Sequence, residues 1–280
     1  MADFQIVATD TRPAADLCAA FNGAFADYVT GPVHIPLEVW DSLNARQGVV
    51  DTLGRVAVRD GAVIAFGLVC PRPETNRWRL GAMGAVPAAR GSGAAQALLD
   101  DFLARAKQAG AAEVELECFA ANERALRLYR SRGFEVVDAL NAWKATDAPV
   151  PASASARDLR AVDRATAFEW LAAANRRVAN LPFQCTDRSL AEQARPLSFW
   201  QCDDALMVFS VVEGTPTTIH ALVDLDPSLD AAEALARALR AAHPDAIAPP
   251  LLPDALGGAA LGRAGFEQQA LGQVFMRRVA

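Results

Sequence analysis

The sequence is short of the residue types that most often announce a function. It has only three histidines, His34, His220 and His243, far apart and without ligand spacing, so no metal site is expected. Its five cysteines, Cys18, Cys70, Cys118, Cys185 and Cys202, include no CxxC pair. Such an odd, scattered set is the usage of a reducing compartment, where cysteine serves as a small buried hydrophobe. Basic charge is also scarce: the net charge is −6, and neither half has the basic stripe that nucleic-acid binding requires. The longest apolar run, around 62–70, is far too short to cross a bilayer. The opening MADFQIVATD lacks the basic and apolar regions of a secretion signal. A cytoplasmic protein with neither nucleic-acid nor membrane partners is expected.

What is present describes an ordinary globular chain. With 52% hydrophobic and 21% charged residues, 280 residues can bury a substantial core without disulfides or metals. The segment TDAPVPASASA at 146–156 sets two prolines among small residues and can hold neither helix nor ladder. It predicts a first domain at 1–146, a linker at 147–157 and a second domain at 158–280.

The first domain alternates between helical and strand periods. Strands are predicted at 4–8, 53–58, 62–70, 78–86, 113–118 and 134–140, with an Asp60–Gly61 hairpin signal between the second and third. Helices are predicted at 12–26, from Pro36 onward, at 91–110 and at 122–132. Along 113–118, Val114, Leu116 and Cys118 form the buried side and Glu113, Glu115 and Glu117 the solvated one. The second half reads more loosely, with helices near 166–177 and 231–243 and strands near 205–212, 218–223 and 274–279.

Two segments carry chemistry. Arg90-Gly91-Ser92-Gly93-Ala94-Ala95 lies between a strand and a helix. Small residues there let backbone N–H groups converge on an anion, and the helix adds its positive dipole end. No Lys-Ser or Lys-Thr follows and the spacing is not GxGxxG, so neither a P-loop nor a dinucleotide turn fits. The second segment is Asn122-Glu-Arg-Ala125-Leu-Arg-Leu128-Tyr129-Arg-Ser-Arg-Gly133-Phe134, with Ala125, Leu128 and Tyr129 on one helical face behind an N-cap residue.

This second segment resembles the N-x-x-A-x-x-L-Y-x-x-x-G-F stretch of the GNAT family of N-acetyltransferases. The first resembles that family's R/Q-x-x-G-x-G/A turn. The resemblance covers about residues 3–145. It implies an α/β (α+β) fold whose central sheet is mixed, mostly antiparallel and flanked by helices, with acetyl-CoA as cosubstrate and no metal. It further implies that Gly84, Ala85 and Val86 offer backbone groups to the acetyl and pantetheine arm, that Arg90, Gly91, Ser92, Gly93, Ala94 and Ala95 hold the pyrophosphate, that Asn122 bonds the arm or caps its helix, and that Tyr129 lies beside the thioester sulfur as general acid. Candidate acceptor-lining residues are Phe25, Tyr28, His34 and Trp40, with Asp27 and Glu38 as attractors of a cation. The strand Leu80–Val86 lacks the acidic base that many members keep; Glu117, His34, a water chain and an amine that arrives neutral are the alternatives.

The second half resembles a degenerate copy. Ser228-Leu-Asp-Ala-Ala-Glu233 replaces the phosphate turn, without glycine and with two carboxylates, and Leu261 takes the tyrosine's place. The implied function is acetyl transfer to a primary amine, with a small-molecule acceptor foremost. A protein or peptide N-acetyltransferase and a non-catalytic acyl-CoA sensor stay open, as does a homodimer.

Overall fold

The computed structural model describes residues 3–149 and 157–280; most of the expected linker lies outside the described residues. By internal contacts the chain divides into two compact units, Met1–Glu135 with Met276–Ala280, and Val136–Phe275.

The first unit runs β1 (Gln5–Ala8), α1 (Ala14–Ala24), α2 (Trp40–Gln47), β2 (Arg55–Arg59), β3 (Ala62–Arg72), β4 (Arg77–Ala85), α3 (Ala94–Gln108), β5 (Glu113–Phe119) and α4 (Glu123–Arg130). Strands β1 to β4 form an antiparallel series, and β5 joins β4 in parallel. Met276–Ala280 complete the unit beside β5, where the Ala280 N–H donates to the Ala112 carbonyl.

The two-residue period of the strands sorts the core into two layers. Val56, Phe66 and Leu68 pack with Leu17, Cys18, Ala20 and Ala24 of α1 and Trp40 of α2. The alternate residues Ala57 and Ala65 pack with Ala94 and Leu98 of α3. Helix α3 buries Leu98, Leu99, Phe102 and Ala106, the spacing its sequence predicts. Helix α4 buries Leu126 and Tyr129.

The remaining strands are β6 (Glu135–Ala145), β7 (Arg160–Ala161), β8 (Ser198–Cys202), β9 (Ala205–Ser210), β10 (Thr218–Asp224), β11 (Ile247–Pro253) and β12 (Phe266–Val279). The remaining helices are α5 (Arg164–Arg177), α6 (Asp187–Ala191), α7 (Asp230–Ala242) and α8 (Gly258–Arg263). Strands β7 to β10 are antiparallel, β11 joins β10 in parallel, and β6 pairs with β11 antiparallel. From β7 to β11 the second unit repeats the element order of β1 to β5. Pro249 and Pro250 lie where the β11–β6 register shifts, between Ala248 and Leu252, so their missing donors interrupt no regular ladder.

The five cysteines are all free and buried. Among the described residues no helix is long and apolar enough to cross a membrane.

Candidate functional site

The site begins with one crowded residue. Between β3 and β4 the register shifts so that Gly81 is an extra residue, a bulge of the kind that bends a strand. A Cβ at Gly81 would lie 2.4 Å from the Cys70 sulfur, so glycine alone fits there. Just before the bulge β4 parts from β5. Their parallel pairing ends at Arg79–Glu115, although β4 continues to Ala85 and β5 to Phe119. Met83, Gly84 and Ala85 then line one wall of a cleft of about 590 Å³.

The same cleft reaches the start of α3. Gly91 and Gly93 have φ of 85° and 86°, left-handed values that side chains resist, and the turn they form leads directly into the helix. No side chain of the N-cap residue Gly93 satisfies the first N–H groups, although the Ser92 hydroxyl accepts from Ala94 at 3.3 Å. Gly91, Gly93, Ala94 and Ala95 all face the cleft. A small anion-binding end of a helix is therefore open to it. Arg90 lines the cleft too, but its guanidinium is bound bidentately to Asp27 at 2.5 Å and to the Ala24 carbonyl at 3.2 Å. Those hydrogen bonds hold the Asp27 carboxyl below its ordinary range.

On the facing wall Asn122 caps α4, its side-chain oxygen accepting from the Ala125 N–H at 3.2 Å. Tyr28 stands edge-on to Phe25 and to Phe119, with ring centroids 4.7 and 5.7 Å away. Tyr129 is 7% exposed; burial raises its phenol's pKa, and neighbouring Cys118 and Tyr28 raise it further. Burial pushes the Cys118 thiol up to about 12. Tyr129 is thus a phenol that keeps its proton at neutral pH.

The structure gathers most of the predicted site residues and leaves others apart. Gly84, Ala85, Arg90, Gly91, Gly93, Ala94, Ala95, Asn122, Tyr28 and Tyr129 line one cleft, whereas Val86 and Ser92 flank it. His34 is exposed and off the cleft walls. Trp40, 2% exposed, packs edge-on against Phe21 in the core. Glu117 is bound by Arg79 through contacts of 2.7–3.1 Å and also lies off the walls. The predicted solvated face of β5 is absent. Glu115 is fully buried against Arg72 at 2.5 Å, and Glu113 pairs with Arg77 at 2.7 Å. Arginines from the neighbouring strands neutralise that face. Residues not predicted for the cleft include Met83, Gln96, Arg124, Arg127, Leu128 and Ser131. The last four share one stripe of α4, a periodicity present in the sequence.

The second unit treats the same positions differently. Asp224, 2% exposed, accepts from the Ala232 N–H in the first turn of α7 and from Asp226, both at 2.9 Å. A carboxylate of the chain itself thus sits at that helix start. Asp230 and Glu233, the two predicted repellents, are engaged by Arg157, Arg237 and Arg263. At Gly257 a Cβ would come within 2.3 Å of the Leu222 carbonyl oxygen, so the segment before α8 is pressed against β10.

The sequence profile of the Acetyltransferase (GNAT) family matches residues 20–134, and the first unit carries a domain of that family. No curated protein matches the chain. Similar solved structures include GCN5-related N-acetyltransferases from three bacteria. The one from Anabaena variabilis is 15% identical with a TM-score of 0.65, over 99% of this chain and 72% of that one. That from Sphaerobacter thermophilus is 16% identical with a TM-score of 0.63, over 99% and 96%. That from Kribbella flavida is 17% identical with a TM-score of 0.62, over 99% and 71%. At these identities what is shared is the fold.

Proposed function

We propose that the first unit is an acetyl-CoA-dependent N-acetyltransferase acting on a primary amine, foremost that of a small molecule. The observation that carries this reading is the parting of β4 from β5 into the cleft that also receives the glycine turn of α3. The unpaired edge of β4 offers backbone groups to an extended arm, in the manner of an added strand. The start of α3 suits a pyrophosphate. Together they fit a thioester on a long phosphate-bearing handle.

In this reading the amine nitrogen attacks the thioester carbonyl. The C–N bond forms, the C–S bond breaks, and Tyr129 gives its proton to the departing thiolate. Backbone N–H groups near Gly84–Ala85 stabilise the oxyanion. A lysine-like amine with a pKa of about 10.4 is neutral in only about one molecule in two thousand at pH 7. Its proton leaves through water, because Asp27 is bound to Arg90 and Glu117 to Arg79. The second unit is a copy of the same plan whose donor site is filled by Asp224 and by the close approach at Gly257.

The engaged carboxylates also favour a second reading, an acyl-CoA binder without turnover. Calorimetry with acetyl-CoA, on wild type and Gly93→Glu, followed by an amine-library assay, tests both. One donor per wild-type chain, none on the variant, and turnover of an amine are the expected results. Binding without turnover of any amine selects the binder, and absence of binding sinks both readings.

A further inference from the structure

We infer that Arg79 is a positioning residue for the donor: clamped to Glu117, its guanidinium fixes how β5 leaves β4, and with it where the unpaired edge of β4 stands. The inference rests on the acetyl-CoA reading above and concerns what holds the cleft of that reading in shape.

Strands β3, β4 and β5 bring Arg72, Arg77 and Arg79 against Glu113, Glu115 and Glu117, and the resulting pairs are not equivalent. Arg77 and Glu113 are direct partners in the parallel register and meet at 2.7 Å. The register partner of Arg79 is Glu115, but Glu115 is taken by Arg72 of β3 at 2.5 Å. Arg79 reaches instead to Glu117, beyond the point where the two strands stop pairing. This pair runs ahead of the ladder, into the space where the strands part. Both carboxylate oxygens are engaged: Nε donates to them at 3.1 and 2.9 Å, and Nη2 lies 2.7 Å from Oε2.

The other edge of the guanidinium sits at the vertex of the fork. Nη1 lies 3.6 Å from the Cys70 sulfur and 3.5 Å from the carbonyl of Gln47, the last residue of α2. A Cβ added at Gly81 would stand 3.3 Å from that same nitrogen and 2.4 Å from the sulfur. The bulge that turns β4 away and the clamp that holds β5 therefore meet at one group. The side chains of Arg79 and Glu117 are only 2% and 4% exposed, and neither lines the cleft. They can act on a donor only through the backbone they hold. Burial lowers the pKa of this guanidinium, but Glu117, with Cys70 and Glu115, raises it above its ordinary value, and the clamp stays charged.

Position matters here more than strength. The edge of β4 at Met83–Ala85 must stand within hydrogen-bond reach of an extended arm, and a displacement of about 1 Å can cost about a hundredfold in rate. Past Arg79 and Glu115 backbone pairing no longer sets the distance between the strands, so without the clamp they are free to close up or to splay further. A pair that served stability alone would behave differently. Replacing both of its charges by apolar residues restores stability, and function would return with it.

The test measures the urea midpoint and the calorimetric Kd for acetyl-CoA on wild type, Arg79→Met/Glu117→Met and Arg79→Lys, with kcat for any amine that is turned over. In the double variant the midpoint should recover while Kd stays raised by about tenfold and kcat lowered by about 10–10²-fold. Arg79→Lys keeps the charge but not the planar fork, and its Kd should fall between those of wild type and the double variant. A double variant that regains the wild-type Kd and kcat along with its midpoint overturns the positioning role. If the double variant does not fold, Arg79→Lys decides: a folded protein with Kd and kcat within about twofold of wild type overturns the role as well. Failure of wild type to bind acetyl-CoA overturns the acetyl-CoA reading itself, and the positioning role with it.

Discussion

A phenol serves as an acid only while it keeps its proton, and Tyr129 keeps it because burial disfavours the phenolate. Its folded pKa lies above the ordinary value of about 10, so the acid form persists through pH 10 and the alkaline limb of kcat below that pH belongs to another group. Tyr129→Phe should lower kcat roughly 10²–10⁴-fold with the KM for acetyl-CoA little changed. Steady-state rates against both substrates would show it, and a fall in kcat below about threefold would remove Tyr129 from the chemistry. The neighbouring thiol gives a second check. With a pKa of about 12, Cys118 is thiolate in about one molecule in 10⁴ at pH 8. Iodoacetamide should leave it unmodified in the native protein and label it in urea, as read by peptide mass. Native labelling of Cys118 within minutes would mean that its thiol is reachable in the folded protein.

At the scale of elements, β5 shows what a strand pattern can and cannot tell. Alternation correctly sends Val114, Leu116 and Cys118 to the core, yet Glu113, Glu115 and Glu117 are not on a solvated face. Nothing within a strand's own sequence names the side chains that its neighbours bring, and here they bring Arg72, Arg77 and Arg79. Such buried pairs add little net stability but are costly to break. Arg79→Met should destabilise the first unit by about 3–5 kcal/mol, and Arg79→Met with Glu117→Met should recover much of the loss. Urea midpoints would measure both; a double variant no more stable than the single one would mean that the pair itself contributes. The α3 and α4 segments were legible because turn glycines, cap and periodicity agree with one another. The Gly81 bulge was not, since what requires glycine there is the Cys70 sulfur on the neighbouring strand. Strand β11 was hidden by its three prolines, two of which fall where its register against β6 shifts.

For the whole molecule, one plan of elements occurs twice with opposite outcomes at the same helix start. In the first unit two glycines leave α3 open to an outside anion; in the second, Asp224 occupies the start of α7. The absence of glycine at 228–233 was legible as a difference between the two helix starts, but the residues it singled out were Asp230 and Glu233, which arginines engage instead. Arg157 and Arg263 reach these carboxylates from 30 to 73 residues away, and local pattern does not reach so far.

The sharing of β12 between the units has a temporal side. Residues 276–280 follow Glu135 by about 140 positions, a delay of roughly 7 to 28 seconds of synthesis. Through that interval the strand that lies beside β5 does not yet exist. Limited proteolysis of ribosome-bound chains stalled before and after 276–280 would reveal whether the first unit is already protected in the shorter ones, which would refute the delay. Otherwise the nascent protein waits with an unpaired strand edge, and the species most in need of shielding from its neighbours is the one still being made.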